Sequence, residues 1–509
     1  MVNFQVQELM FEKLINSDSK ELFKKLLIFS IGFHILAVIF SEGFHRPDEH
    51  LGMLRYVFVK LGQYPIDELS WEYPVKIRNW VQPGLYYFLL KPFYTLGLTN
   101  PFILTFILRL VTSAFSFYTL YRFSIFSKSF LKSTQSQNFA NILFYGLWFF
   151  PFIHARTTAE NFGMNVFAIA LMLLVEKSHI QNVREAKATL LNKKSSIPVL
   201  QSIVGGFLLG MSVNFRIPLA PMPFFLILWL YLFGDIKLKS ILLILSGTLI
   251  SILFTIGFDT WGYGEITYST WNYLYQEFTR NVSSGFGTSP WYYYISKTFS
   301  KGVPPFSIAI ILAFLTLWLK YPKNILTWIT LPVFALHSAI GHKELRYIFP
   351  LTIFIPIVCA FIFEKYSHYL NAKWLKKVFS LCIVVNLIFL FISSLKPAYT
   401  PIDIYKFLYK KSDRINTLYT YKNHQRDVLK IYLKNNIKFI TLNSDEETEK
   451  AILSEKETWF LVEKISDFNF FEMKSCVQEF STYPNWFTNM FKKVLKRSKA
   501  WTIYRCLNE

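Results

Sequence analysis

A chain of 509 residues that is 52% apolar and 19% aromatic, with a positive mean hydropathy, carries more apolar surface than a soluble domain of ordinary composition. Its formal charge of +21, from 54 lysines and arginines against 33 acidic residues, is dispersed between apolar runs and not gathered on one compact polar domain. That distribution excludes a nucleic-acid-binding reading and leaves a polytopic membrane protein.

The first apolar run, at about residues 26–41, follows a polar leader and ends at Ser41-Glu42 without a small-residue cleavage site. It is expected to remain as a membrane anchor. Runs of near-spanning length follow at about 101–122, 138–154, 161–176, 199–214, 217–234, 240–257, 303–319, 324–340, 346–363 and 378–395, for about eleven crossings in all. The stretch Gly84 to Leu98 is interrupted by Lys91 and Pro92 and reads as half-embedded, because a lysine at mid-bilayer depth is costly unless it snorkels or pairs.

Basic residues occupy alternate connections. Lys20, Lys24 and Lys25 precede the first run, and Arg122, Lys128 and Lys132 form the next basic connection. Then come Lys177, Arg184, Lys187, Lys193 and Lys194, and after them Lys237 with Lys239, Lys320 with Lys323, and Lys365 with Lys373, Lys376 and Lys377. One orientation makes all of these cytoplasmic, provided Gly84 to Leu98 does not cross. The outward-facing segments are then 42–100, 155–160, a tight turn at Asn214 to Arg216, 258–302 and 341–345.

Residues 1–25 thus form a cytoplasmic segment, 26–395 the membrane domain, and 396–509 a small α/β domain outside the membrane. Lys438 to Leu442, Trp459 to Val462 and Trp501 to Cys506 read as its strands. Of the four cysteines, Cys359 and Cys382 lie in apolar runs, so only Cys476 and Cys506 are candidates for a disulfide. Lys492, Lys493, Lys496, Arg497 and Lys499 read as a solvated helix face, with anionic lipid as the other reading. Asn281-Val282-Ser283 matches the glycosylation triplet, which is frequent by chance.

Chemistry concentrates in the outward loops. Glu42-Gly43-Phe44-His45-Arg46-Pro47-Asp48-Glu49-His50 sets two adjacent carboxylates, two histidines and an arginine just past a membrane exit. Asp48 and Glu49 are both candidates to accept the proton of an attacking sugar hydroxyl, with the arginine keeping the acid ionised. The other reading makes Pro47-Asp48-Glu49 the start of an interfacial helix with Asp48 as its cap. Later in the same loop, Trp71-Glu72-Tyr73-Pro74-Val75-Lys76-Ile77-Arg78-Asn79-Trp80 sets Arg78 where it reaches a lipid phosphate, or else forms an aromatic belt on ordinary headgroups.

The densest cluster is Gly341-His342-Lys343-Glu344-Leu345-Arg346-Tyr347. Read as a helix, it puts His342 and Arg346 at i,i+4 on one face, where both can donate to one phosphate at a helix N-terminus. An interfacial ion network around Glu344 is the alternative, and the two can coexist. Arg156 and Glu160 in the run Arg156 to Asn161, Arg216 before Pro218, and Asp259 in Asp259 to Gly264 also reach the outer face, each read alone as structural before catalytic. There is no D-x-D, no phosphate-binding G-x-x-x-x-G-K-[ST] and no H-E-x-x-H, so no metal-bound nucleotide sugar is expected and no cofactor is called for.

Taken together these stretches resemble glycosyltransferase family 22, the dolichyl-phosphate-mannose-dependent α-mannosyltransferases of N-glycan and GPI-anchor assembly. The resemblance rests on Pro47-Asp48-Glu49, Trp71-Glu72 with Arg78, Arg156 to Asn161, Arg216-Ile217-Pro218, Asp259 to Gly264 and His342-Lys343-Glu344-Leu345-Arg346. It implies an all-α GT-C membrane fold with an active site facing the lumen or periplasm. It further implies transfer of mannose, with inversion, from a polyprenyl-phosphate donor to a lipid-linked glycan acceptor. Asp48 would be the base and Glu49 would orient or assist it, while Arg78, His342, Lys343 and Arg346 would surround the donor phosphate. Glu72, Arg156, Glu160, Arg216 and Asp259 would be possible substrate contacts. The sequence departs from the family at His45-Arg46 before Pro47 and at His50 after Glu49.

A secondary transporter or lipid flippase is the competing class. It would need ionisable groups near the midplane, where only a few, among them His34, Arg109 and His337, occur.

Overall fold

The computed structural model describes residues 13–175, 196–280, 282–366, 373–422, 427–434, 437–490 and 499–508. Lys177, Arg184, Lys187, Lys193, Lys194, Asn281, Lys492, Lys493, Lys496 and Arg497 lie outside the described residues.

All eleven apolar runs fall on helices. Some of their starts are set by capping side chains that satisfy free backbone N–H groups. Asp18 accepts from Lys20 and Glu21 ahead of Ser19–Phe40, and Asn100 accepts from Phe102 ahead of Pro101–Ser127. The run at 138–154 is divided into Thr134–Gly146 and Phe149–His154. By length and composition five helices among the described residues suffice to cross a membrane: Ser19–Phe40, Pro101–Ser127, Leu238–Tyr263, Leu345–Tyr366 and Val378–Leu395. Phe306–Lys320 and Ile325–Ala339 pass as a pair that bends by 113°. Ala159–Leu174 and Val199–Phe215 are shorter apolar helices. The interrupted stretch forms the helix Val81–Thr95, with Pro92 inside it and the Lys91 ammonium near the rings of Tyr87 and Tyr94.

Val199–Phe215 lies close along Leu238–Tyr263, because Gly206 and Gly247 leave no Cβ between the two backbones; a side chain at either would strike the partner helix. This contact sets Asn214 and Asp259 beneath the outer loops. The Asn79 side chain donates to the Asn214 carbonyl, and Asp259 accepts from the backbone N–H of Trp80 at 2.7 Å and of Ser269 at 2.9 Å.

Of the midplane groups, Arg109 donates to the Val38 carbonyl at 3.1 Å. His34 shares a 2.9 Å hydrogen bond with His154, and the His337 ring packs 5.7 Å from that of Tyr347. All three are thus engaged with neighbours inside the bundle.

The C-terminal region holds a five-stranded sheet of order β2-β1-β3-β5-β4, built from β1 Thr417–Tyr421, β2 Lys438–Leu442, β3 Glu457–Lys464, β4 Val477–Ser481 and β5 Lys499–Leu507. β1 runs parallel to β2 and β3, and β5 runs antiparallel to β3 and β4. Because Val477 pairs with Arg505, the residues just beyond them, Cys476 and Cys506, face each other and are joined by a disulfide. The sheet is seated on the first outer loop: Phe44, Leu54, Val57 and Phe58 share one core with Ile402, Tyr405, Ile415 and Trp459.

Candidate active site

The chain leaves Ser19–Phe40 through a turn held by Arg156, whose guanidinium donates to the Ser41 carbonyl, to Ser41 Oγ at 2.9 Å and to the Gly43 carbonyl at 3.1 Å. Gly43 has φ +79°, and a Cβ there would meet Tyr399, so the turn requires glycine. A helical turn opens at Pro47, with the N–H groups of His50 and Leu51 both bonded to its carbonyl, and passes into the π-helical turn His50–Leu54.

Asp48 and Glu49 leave this turn in opposite directions. Asp48 Oδ2 is 2.5 Å from Arg346 Nη2 and 3.4 Å from Arg78 Nη2, and its side chain is 34% exposed. It takes no capping role. Glu49 points inward, accepting from the Thr157 N–H and hydroxyl at 2.9 and 3.0 Å and from the His45 N–H at 3.1 Å, with Arg156 at 3.8 Å. Its oxygens are taken up by backbone and side-chain donors that fix the turn carrying Asp48.

Arg78 grips Glu72 with two bonds of 2.9 and 2.6 Å and reaches Asp48 with the same Nη2. Arg346 forks onto Glu344 with two bonds of 3.0 Å, in addition to Asp48, and lies 3.8 Å from Glu160. Arg216 stands 3.4 Å from Glu160 and lies over the Tyr347 ring. The structure thus assembles Asp48, Glu72, Arg78, Glu160, Arg216, Glu344 and Arg346, drawn from five separate stretches of chain, into one network of alternating charge.

One expectation is corrected by geometry. His342 and Arg346 do not share a helix face, because the helix Leu345–Phe354 begins after Glu344 and is of the tighter 3-10 type, with Pro350 inside it unable to donate to an α-turn. They still converge, since His342 Nε2 lies 3.6 Å from Glu344. Lys343 turns away and is buried, its ammonium donating to the carbonyls of Ser289 at 2.8 Å, Ile340 and Gly341. Arg156 and Asp259 hold the first outer loop, Arg156 at its start and Asp259 at Trp80, and neither reaches Asp48.

Burial by itself would raise the Asp48 carboxyl, but the guanidinium groups of Arg78 and Arg346 hold it well below the usual carboxylate range. Glu344 follows the same logic: burial opposes its charge, and Arg346 and then Arg46 overcome it. Asp48 is therefore ionised, partly open to the outside and clamped by two arginines, an arrangement able to take a proton from a hydroxyl beside an anionic leaving group.

Residues from the C-terminal region were not foreseen at this site. The His50 Nε2 shares a 2.9 Å hydrogen bond with the Tyr432 hydroxyl, Lys406 pairs with Glu42, and Lys430 lies 3.1 Å from Glu68. Arg46, noted only as a neighbouring charge, lies 3.3 Å from Glu344 with 48% of its side chain exposed.

The sequence profile of a family described as the Alg9-like mannosyltransferase family matches residues 25–438. Among individual proteins, the chain is 25% identical over 363 residues to "Mannosyltransferase APTG1" of Arabidopsis thaliana, covering 68% of this chain and 58% of that one. It is 23% identical over 381 residues to "GPI alpha-1,2-mannosyltransferase 3" of Xenopus laevis, covering 71% and 63%. The matched stretch thus spans about three fifths of these relatives' own length. In three dimensions it is similar to the crystal structure of ArnT from Cupriavidus metallidurans bound to undecaprenyl phosphate, with a TM-score of 0.56 at 9% identity over 95% of this chain and 97% of that one. At that identity the likeness speaks for the fold, a mostly helical GT-C architecture.

Proposed function

The chain belongs to the Alg9-like mannosyltransferase family, and we propose that it moves mannose, with inversion, from a polyprenyl (dolichyl) phosphate donor to a lipid-linked glycan or GPI-type acceptor. The observation that carries this reading is the position of Asp48, half-exposed at the head of the outer loop with Arg346 and Arg78 both against its Oδ2.

In this reading Asp48 accepts the proton of the acceptor hydroxyl as that oxygen bonds to the anomeric carbon of mannose. The bond from that carbon to the donor phosphate breaks, and its electron pair leaves with the phosphate. The phosphate passes from a diester with one negative charge to a monoester that carries up to two, so cations beside it stabilise the transition state more than the ground state. Arg78 and Arg346 supply this charge, with the His342 imidazole beside them. Glu160 and Arg216 support Arg346 from behind, Glu72 aims Arg78, and Lys343 braces the backbone of the same loop. The chemistry calls for no cofactor, because the leaving group arrives already bonded to its phosphate.

We also assign about eleven crossings between residues 26 and 395, with residues 1–25 cytoplasmic and 396–509 on the opposite face. Two independent observations support that orientation: the alternation of basic connections, and a disulfide of the kind formed in oxidising compartments, carried by the domain seated on the Asp48 loop. The likeness to GPI mannosyltransferases supports placing the protein in the endoplasmic reticulum membrane, with the site in the lumen.

The test is transfer by purified protein in liposomes from polyprenyl-phosphate β-mannose to a panel of lipid-linked glycans and GPI precursors, with the product linkage assigned by α- and β-mannosidase. An α-linked product supports the reading. A β-linked product removes the inverting mechanism, and mannose crossing the bilayer without being transferred would favour a transporter.

A further inference from the structure

Glu344 gathers two guanidinium groups and an imidazole around one carboxylate. Arg346 forks onto both oxygens at 3.0 Å, Arg46 Nε approaches one oxygen at 3.3 Å, and His342 Nε2 faces the other at 3.6 Å. His342 Nδ1 donates to the Gly287 carbonyl at 3.0 Å, which fixes the ring with Nε2 toward the carboxylate. A planar fork on one side and point donors on the others is also the arrangement that two oxygens of a phosphate require.

The three partners exceed what a single carboxylate charge needs, and their exposure follows a gradient. Arg346 is buried and shared with Asp48, His342 is 16% exposed, and Arg46 is 48% exposed with no second acid beside it among the described residues. Glu344 itself is 20% exposed and has an extended backbone, φ −128° and ψ 141°, in the segment ahead of the 3-10 helix. Its side chain can therefore swing outward without unwinding a helix.

We propose that Glu344 is a stand-in for the substrate phosphate: in the empty site it occupies the Arg46, His342 and Arg346 pocket, and the phosphate of the polyprenyl lipid displaces it. This rests on the mannosyl-transfer reading for the identity of the lipid, but the displacement is a binding event that needs no transfer. An internal anion of this kind keeps the Arg46 and Arg346 guanidinium groups from repelling one another while the site is empty. It also competes with the departing polyprenyl phosphate, which hastens release of a product more highly charged than the substrate.

The experiment measures the affinity and off-rate of polyprenyl phosphate, without mannose, for the full-length protein in nanodiscs, comparing wild type with Glu344→Gln. The amide keeps the shape and removes the charge. The inference predicts binding tighter by roughly three- to tenfold, expressed mainly as a slower off-rate, and an unchanged acceptor KM. Arg46→Gln in the same background should reverse the gain. Unchanged or weaker binding in a folded Glu344→Gln protein would overturn the inference and make Glu344 a strut for Arg346. A shift confined to the acceptor KM would overturn it as well, since the phosphate read would then be the acceptor's. Should Glu344→Gln fail to fold, Glu344→Asp, with its carboxylate drawn back by one methylene, should tighten binding to a lesser degree, and weaker binding there counts against the inference. Tighter lipid binding in a protein that transfers no mannose would sink the transferase reading and leave this inference standing.

Discussion

Asp48 and Glu49 are consecutive, yet Asp48 meets Arg346 at 2.5 Å across 298 residues of chain while Glu49 accepts from the Thr157 N–H at 2.9 Å on the other side of the turn. One carboxylate is left to the outside and the other is consumed in fixing the turn. The two substitutions should therefore fail in different ways.

Glu49→Ala should destabilise the fold, because it leaves two backbone donors, the Thr157 hydroxyl and the nearby Arg156 without their buried acceptor. The expected cost is about 3–5 kcal/mol, the range for breaking a buried charged network. Thermal unfolding in detergent should show a lowered transition for Glu49→Ala and a near-normal one for Asp48→Asn. The reverse order would mean that the roles have been exchanged.

The acid limb of the pH–rate profile should move on substrate binding. In the free protein Arg78 and Arg346 outweigh burial and hold Asp48 below the usual carboxylate value of about 4, so it stays ionised as the pH falls to that value and beyond. Donor phosphate on Arg346, with the displaced Glu344 still nearby, adds a negative charge, which pushes the Asp48 carboxyl up. The acid limb of kcat, which reports the complex, should then lie at higher pH than that of kcat/KM, which reports free protein. Coincident limbs would show that the phosphate does not share the arginine.

The bond between His50 and Tyr432 ties the C-terminal domain to the residue two positions after Asp48. Tyr432→Phe removes that bond and keeps the ring that packs on Phe102. It should lower kcat several-fold while leaving the donor KM in place, as expected if Tyr432 positions Asp48 through His50 and does not touch the lipid. An increase in KM alone would place Tyr432 in binding instead.

Acid should also unfold the protein through His50. Burial, then Arg156 and the other arginines around it, push this imidazole well below its ordinary value, so the unfolded chain binds a proton that the folded chain refuses. That contribution to stability is intact above about pH 6.5 and is lost progressively as the pH falls from there toward the folded value. His50→Gln should flatten the fall in transition temperature between about pH 7 and pH 5. An unchanged slope would assign the loss to other groups.

The helices were legible because hydropathy acts locally: each apolar run is helical whatever surrounds it. Asp48, Arg78 and Arg346 were legible as members of dense polar clusters in the outer loops. Direction was not legible. That Glu49 turns inward, or that Lys343 caps carbonyls near Ser289, depends on partners distant in sequence. The i,i+4 reading of His342 and Arg346 failed because a helical period was extended upstream of Glu344, where the chain is still extended. Tyr432 carried no local signal, since its partner lies 382 residues away. β1 and β4 escaped notice as short runs whose apolar residues are interrupted by Thr, Gln and Glu.

The most direct measurement is transfer of radiolabelled mannose from polyprenyl-phosphate mannose to extracted lipid acceptors by wild type and by Asp48→Asn, purified at matched expression and folding. The predicted result is clear transfer by wild type and a loss of at least about a hundredfold in the variant, the scale of a removed general base. Equal transfer by both proteins would contradict the assignment of Asp48.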